Sequence, residues 1–234
     1  MGPWTVTSCT VSDAADLARN NMSAFWEDPT WILLWPRDFT REYVIEQCAK
    51  RMPRSLLRDR ATLRHQKAVD PETGAIVGYA RWILPPGRAV KATGEAEWGE
   101  AQVPDVSVDE REGFERLFRT ADWNTRDDMD ALDDKNHVVM NRIRSEKPYI
   151  SLDYLAVHPD NKGKGVATAL VESGIRAAEE MGVDIFMLAF KAGLGVYKRL
   201  GFQEVERIIQ DDSKYGGKGE YGAYFLIYHV NKPE

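Results

Sequence analysis

The sequence predicts a single α/β domain, spanning residues 1–234, in which helices pack on one central sheet. Strand-like and helical patterns alternate from Tyr149 to Ile209, which is the order expected of an α/β fold. Upstream, the turn Asp70–Gly74 separates two strand-like runs and predicts a hairpin. The 234 residues are 43% apolar and include 7 Trp and 9 Tyr, enough to fill one sizeable core.

The elements of the first half follow from alternation, capping and turn signals. Ser12-Asp13 offers a helix cap, and Pro53 is expected to end a helix. The predicted elements are a strand Thr5–Cys9, a helix Ala14–Phe25, a helix Thr40–Lys50 that closes near Pro53, and the hairpin strands Ala61–Val69 and Ala75–Leu84.

Residues 85–147 predict an insertion, since Pro85-Pro86-Gly87 breaks the pattern and the apolar content is too thin for a separate core. Two helices are expected in it, Glu110–Arg119 and Arg126–Arg144. From Glu95 to Asp134 the chain has 14 acidic residues against 4 arginines, a balance of −10. This stretch either draws a cationic partner or is a solvated surface.

The last third alternates regularly between strands and helices. The predicted elements are a strand Tyr149–Val157, a helix Gly165–Met181, a strand Val183–Phe190, a helix Ala192–Leu200, a strand Phe202–Ile209 and a returning strand Gly222–Val230.

Composition excludes several classes of function. A net charge of −6 argues against a nucleic-acid binder, which needs a basic stripe. No apolar run approaches the roughly 20 residues of a membrane span, and the N-terminus Met1–Trp4 lacks the features of a signal peptide. Cys9 and Cys48 are too few for a disulfide framework or a cysteine-rich metal site. We expect a cytoplasmic protein without a metal.

A glycine-rich turn between a predicted strand and a helix indicates an anion site. In Lys162-Gly163-Lys164-Gly165, glycines let an anion approach the backbone, and the free N–H groups of the next helix face it. The turn matches neither the P-loop nor the Rossmann pattern. Taken alone, it is equally a tight surface turn with basic residues.

Two segments together resemble the GNAT acetyltransferases. Lys162–Ala167 is similar to their Arg/Gln-x-x-Gly-x-Gly/Ala signature, and Gly195–Phe202 is similar to their second hallmark, a helix and strand written LYekLGF. Lys162 stands where the family has Arg or Gln, which keeps the charge. Phe190-Lys191 stands where relatives often have a Ser or Asn that contacts the cofactor arm.

The resemblance implies a GNAT-like fold with a mixed, mostly antiparallel sheet, and acetyl-CoA as cosubstrate. The backbone of Gly163 to Thr168 would hold the pyrophosphate, and the strand at Leu155 and Val157 would pair with pantetheine. The expected cofactor-binding residues are Leu155, Ala156, Val157, Lys162, Gly163, Lys164, Gly165, Val166, Ala167 and Thr168.

Tyr197 matches the tyrosine that points at the CoA sulfur in many members of the family and assists the leaving thiolate. The alternative is a packing residue. Asp153 is a candidate general base because period-2 alternation places it on one strand face with Ser151, Leu155 and Val157. In some relatives a glutamate base stands at the position of Ser151. The alternative for Asp153 is a local salt bridge.

Three further residues are candidates for the acceptor site. Glu95, Glu97 and Trp98 would give an acidic and aromatic surface that suits an amine. His158 precedes Pro159 and is expected to be a turn residue rather than a base.

The function expected is acetyl transfer to a primary amine of a small molecule by direct attack in a ternary complex. No covalent enzyme intermediate is expected, because neither cysteine is near the cofactor segment. The alternative is a regulatory module that binds CoA without turnover. The acceptor and the oligomeric state, a homodimer included, stay open.

Overall fold

The computed structural model describes residues 4–230, so the prediction that Met1–Trp4 does not begin a signal peptide falls, except for Trp4, outside the described residues. The strands are β1 Thr5–Ser8, β2 Leu63–Val69, β3 Ile76–Ile83, β4 Ile150–Val157, β5 Ile185–Phe190, β6 Gln203–Gln210 and β7 Tyr221–Tyr228. The helices are α1 Ala14–Phe25, α2 Arg41–Leu57, α3 Val108–Arg119, α4 Asp130–Glu146, α5 Val166–Met181 and α6 Leu194–Arg199. In this range no helix is long and apolar enough to cross a membrane.

The strands form one sheet in the order β1-β2-β3-β4-β5-β7-β6. The β4–β5 pair is parallel and the other neighbours are antiparallel. This arrangement confirms the predicted α/β class and the mixed, mostly antiparallel sheet. The parallel pair follows from α5, which crosses over between β4 and β5.

β4 and β5 separate along their length. They pair only through residues 150–152 and 185–187, although β4 continues to Val157 and β5 to Phe190. Beyond Leu152, no strand within residues 4–230 pairs with the edge of β4 that faces β5. A gap therefore opens in the middle of the sheet, at the carboxyl ends of both strands.

A β-bulge at Asp153 marks the start of that gap. Trp82 pairs with Leu152 and Arg81 with Tyr154, which leaves Asp153 without a partner on β3. The extra residue reverses the alternation of side chains. Leu155 and Val157 lie on the α5 face with Leu152, whereas Tyr154 lies on the opposite face. The prediction that Ser151, Asp153, Leu155 and Val157 share one face is therefore wrong.

Helices cover both faces of the sheet. On one face α5 packs over Trp82, Leu152 and Met187; on the other, α1 and α2 pack over Tyr79 and Tyr154. The 85–147 segment adds α3 against α2 and α4 against β5, β6 and β7. The two helices expected in it are present, and their apolar side chains pack onto the main sheet and α2.

α5 lies unusually close to the sheet. A Cβ built on Gly174 would be 2.1 Å from the Trp82 ring, and one built on Gly78 would be 2.5 Å from Cγ1 of Val166. Both positions therefore require glycine. This contact fixes α5, and with it the turn that precedes the helix.

α2 continues through Pro53 to Leu57, so the prediction that it closes near Pro53 is wrong. Proline removes one helical hydrogen bond and crowds the preceding turn. Met52, Leu56 and Leu57 are buried in the core beside α1, and this burial holds the last turn in place.

Candidate functional site

A cleft of about 740 Å³ occupies the gap between β4 and β5 and extends to the turn before α5. α6 and the segment after α1 close its sides. The cleft brings together most of the residues singled out from the sequence: Asp153, Leu155, Ala156, Val157, Lys162, Gly163, Gly165, Val166, Ala167, Thr168 and Tyr197.

The turn before α5 has the geometry of an anion site. Gly163 and Gly165 have φ of +76° and +84°, in the left-handed region, and a Cβ on either would meet nothing within 4 Å. The first helical bond runs from Ala169 N–H to Gly165 O, so the N–H groups of residues 166–168 have no intrahelical partner. Those free groups lie at the positive end of a 16-residue helix. The site therefore fits a pyrophosphate.

The two lysines of the turn have different surroundings. Lys162 lines the cleft, and its ammonium pairs with the Glu27 carboxylate. Lys164 does not line the cleft: its Nζ contacts Asn161 Oδ1 at 3.2 Å, and its carbonyl accepts a hydrogen bond from Trp4 Nε1 at 2.8 Å. Lys162 thus faces the cleft, whereas Lys164 links the turn to the N-terminal segment.

The unpaired edge of β4 provides main-chain groups along the cleft. Leu155, Ala156 and Val157 line it on one side, and Met187, Leu188 and Ala189 of β5 line it on the other. An extended ligand can add to such an edge as a further strand. The width of the gap and its exposed edge fit a pantetheine-like arm.

Tyr197 lies on α6 and faces the cleft from a buried position, with 5% of its surface exposed. Its ring packs edge-on against Phe202 at 5.9 Å between centroids and lies close to Gly193. Burial raises the pKa of its hydroxyl above the ordinary value of 10.0. The hydroxyl is therefore a neutral hydrogen-bond donor at physiological pH.

Asp153 is held by Arg81. Arg81 Nε donates to Asp153 Oδ2 at 2.7 Å, Nη2 contacts the same oxygen, and the guanidinium lies 5.4 Å from the centre of the Tyr154 ring. Burial opposes the charge of Arg81, but Tyr79 and Asp153 outweigh it and raise the pKa of the guanidinium. This is the local salt bridge given as the alternative for Asp153, and both contacts fall on Oδ2, so Arg81 leaves Oδ1 uncontacted.

His158 is a turn residue, as predicted. Its Nδ1 accepts a hydrogen bond from the Asp160 N–H at 3.4 Å, and burial lowers its pKa. Ser151 is buried beside the paired part of β4 and β5.

The structure does not bring Glu95, Glu97 and Trp98 to the cleft. Trp98 is buried against Trp82, and the Glu97 carbonyl binds the buried guanidinium of Arg64. The Trp98 ring and the Glu97 carbonyl therefore contribute to packing around Trp82 and Arg64.

A second, smaller cavity adjoins the cleft and was not foreseen. It measures about 110 Å³ and shares Phe25, Asp28, Trp31 and Phe190 with the cleft. Asp133 of α4 and Tyr221 of β7 complete its polar lining. The signal in the sequence is weak: the aromatic segment after α1 and one aspartate among many in the acidic stretch.

Comparisons with known proteins agree with this geometry. Residues 131–204, which contain both sequence hallmarks, match the family model described as Acetyltransferase (GNAT) domain. The structure of the histone acetyltransferase HPA2 and related acetyltransferase from Corynebacterium glutamicum is 19% identical, with a TM-score of 0.59 over 99% of this chain and 98% of that one.

Two further solved structures are similar. The C-terminal condensation domain of Ebony, in complex with beta-alanyl-dopamine, is 11% identical, with a TM-score of 0.59 over 98% of this chain and 100% of that one. A polyamine N-acetyltransferase from Drosophila melanogaster is 13% identical, with a TM-score of 0.53 over 97% of this chain and 100% of that one. At these identities the likeness shows the fold alone.

Proposed function

We propose that this chain transfers the acetyl group of acetyl-CoA to a primary amine of a small molecule, because residues 131–204 match the GNAT acetyltransferase domain model and contain both motifs. The reaction proceeds by direct attack in a ternary complex. The observation that carries the proposal is one cleft that joins an open strand edge to the free N-terminus of α5.

The proposed cofactor-binding residues contact different parts of acetyl-CoA. The N–H groups of Val166, Ala167 and Thr168 and the ammonium of Lys162 bind the diphosphate. The β4 edge at Leu155–Val157 orients the arm. Acetyl-CoA supplies the acetyl group already activated as a thioester.

Transfer requires the substrate ammonium to lose a proton before it attacks, and the departing thiolate to be stabilised. The ammonium gives one proton to Asp153 Oδ1, directly or through water, which frees the nitrogen lone pair. The nitrogen then forms a bond to the acetyl carbon as the carbon–sulfur bond breaks, and a second proton from nitrogen leaves with the thiolate as free CoA thiol. Tyr197 donates a hydrogen bond to the departing sulfur. Its pKa is raised by burial, so it stabilises the thiolate without giving up its proton.

The composition fits a cytoplasmic enzyme that acts on a small molecule. Cys9 and Cys48 are both buried and unpaired, which fits a reducing compartment. The polyamine substrate of the Drosophila protein supports an amine as acceptor class.

Cofactor binding is tested first, by thermal unfolding with and without acetyl-CoA. At 100 times the dissociation constant the stabilisation should be about 2.7 kcal/mol. No shift with millimolar CoA would remove the cofactor assignment.

Turnover is tested by release of free thiol with a panel of amines. We expect release that depends on the amine. Binding of CoA without thiol release for any amine would instead support the regulatory module that binds CoA without turnover.

A further inference from the structure

The small cavity beside the cleft combines aromatic walls with two carboxylates. Phe25 and Trp31 form one side, Phe190 and Tyr221 the other, and the ring centroids of each pair are 5.6 Å apart. Asp28 and Asp133 provide the charge. Because Phe25, Asp28, Trp31 and Phe190 also line the cleft, a molecule can extend from one space into the other.

Neither carboxylate has a cationic partner within residues 4–230. Asp28 Oδ1 accepts from the N–H groups of Thr30 and Trp31, both at 2.9 Å. Asp133 Oδ1 accepts from the Tyr221 hydroxyl at 2.9 Å and from the Asn136 amide at 3.3 Å. All of these donors are uncharged.

Two basic side chains of neighbouring segments are engaged elsewhere. Lys191, after β5, pairs with Glu220 at 2.8 Å, and Arg126, before α4, pairs with Asp128 at 2.8 Å. The cavity is therefore negative without an internal counter-ion, although its volume is enough for a small cationic group.

The two carboxylates both affect the Tyr221 hydroxyl. Burial first, and then the negative charges of Asp133 and Asp28, raise the pKa of the Tyr221 hydroxyl. Asn136, which is buried, donates to Asp133 while its own Oδ1 has no partner in the described part of the chain. Aromatic faces beside unpaired carboxylates are the surroundings that ammonium and guanidinium groups prefer.

We propose that the acceptor carries two basic groups, of which one amine is acetylated in the cleft while the second cation binds between Asp28 and Asp133 in the small cavity. The substrate class is then a diamine or an aminoalkyl guanidine rather than a simple monoamine. The inference rests on the proposed function for the reacting amine, but binding of the second cation can be measured without turnover.

The test compares 1,4-diaminobutane with 1-aminopentane, which has the same number of heavy atoms and only one charge. Binding to the CoA-loaded protein is measured by titration calorimetry. We expect the diamine to bind at least about tenfold more tightly, because each contact to a charged group contributes roughly that factor or more. Equal affinities, or no diamine binding, would overturn the proposal.

Matched variants locate the effect. Asp133→Asn should weaken diamine binding about 10- to 100-fold and leave 1-aminopentane unchanged. Asp134→Asn removes the same charge one residue further along α4, outside the cavity lining, and should behave as the wild type. Equal losses in the two variants would mean that only the general acidity of α4 matters, and would also overturn the proposal.

CoA affinity and thiol release, measured on the same samples, separate this inference from the proposed function. Loss of CoA binding would remove the proposed function; the same diamine and 1-aminopentane titrations on the CoA-free protein would then test the second-cation site by itself, with equal affinities overturning it. CoA binding with turnover of 1-aminopentane, and no preference for the diamine, would remove only the second-cation site.

Discussion

At the scale of single residues, Tyr197 is the side chain whose chemistry is easiest to isolate. Tyr197→Phe should lower kcat by roughly 100- to 1,000-fold, the usual loss when one hydrogen-bond donor to a developing anion is removed, and leave the dissociation constant of acetyl-CoA nearly unchanged. The hydroxyl matters mainly when the thiolate develops, whereas the ring and its contact with Phe202 are kept. Steady-state thiol release and calorimetry measure the two constants.

Tyr79→Phe is the matched control for that experiment. Tyr79 is as buried as Tyr197, but its hydroxyl contacts His65 Nδ1 at 2.7 Å and lies outside the cleft lining. Its loss should lower stability and spare kcat. A loss of less than about threefold in Tyr197→Phe would reduce Tyr197 to packing.

His65 gives the molecule a stability that depends on pH. Burial, followed by the charges of Arg81, Arg58 and Arg64, lowers its pKa from 6.5 to about 3. The unfolded chain therefore binds a proton that the folded chain refuses, so the stabilisation is complete above pH 6.5 and is lost as pH falls toward 3. The slope attributable to His65 is at most about 1.4 kcal/mol per pH unit.

Urea unfolding of His65→Gln between pH 7 and pH 5 tests this linkage. The variant should lose the acid-dependent slope over that window, where most carboxylates stay ionised. His137→Gln, at an exposed position, should keep it. Identical slopes in wild type and His65→Gln would show that His65 titrates normally in the fold.

At the scale of elements, the start of α5 combines a left-handed backbone conformation at Gly165 with the proposed cofactor site. Gly165 has φ of +84°, so Gly165→Ala strains the backbone by about 1 kcal/mol in addition to narrowing the approach to the free N–H groups. Gly74→Ala is a matched control, with φ of +72° and open space in the β2–β3 turn. Both should lose similar stability, and only Gly165→Ala should bind CoA about tenfold more weakly.

Calorimetric titration with CoA and urea unfolding separate the two effects. If the two alanine variants bind CoA equally well, the diphosphate binds elsewhere. If only Gly165→Ala loses stability, the positive φ is not the cause of the strain.

Periodicity and turn chemistry were sufficient to predict the order of elements in this chain. They also located the turn before α5, because glycines and lysines at a strand-to-helix junction have a local physical meaning. Two features of the fold could not be predicted from the sequence. The bulge at Asp153 depends on pairing with Arg81 and Trp82, which are distant in sequence, and the continuation of α2 past Pro53 depends on burial against α1.

The small cavity proposed for the acceptor was not predicted from the sequence for a related reason. Asp133 is one exposed carboxylate among several in its stretch, and nothing local distinguishes it from Asp134. Only the packing of α4 beside β7 brings it to Tyr221 and the cavity.

At the scale of the whole molecule, ion pairs with residues outside the Glu95–Asp134 segment neutralise part of its negative charge. Asp105 pairs with Arg60 of the preceding loop, and Glu115 pairs with Arg54 of α2. Such exposed pairs contribute little to stability, but they cancel charge locally. The field that reaches a ligand should then come from the cavity carboxylates rather than from the segment as a whole.

Salt dependence and charge reversal together distinguish the field of the cavity carboxylates from that of the whole acidic segment. The KM of a cationic acceptor should rise between 0.1 M and 1 M salt, as the Debye length falls from about 10 Å to about 3 Å, while that of a neutral aromatic amine should barely move. Glu95 and Glu97 lie outside both cavities, so the double change Glu95→Lys, Glu97→Lys should alter neither constant by more than about twofold. A similar response of cationic and neutral acceptors would contradict this electrostatic account.

The close approach of α5 to the sheet also bears on how the protein can evolve. Gly174 and Gly78 meet Trp82 and Val166 at distances that leave no room for a side chain, so a larger residue at either position must push α5 outward. The turn at the start of α5 would move with it. Substitutions at these two buried glycines therefore offer evolution a way to change the affinity for the proposed cosubstrate while the Lys162–Ala167 motif keeps its sequence.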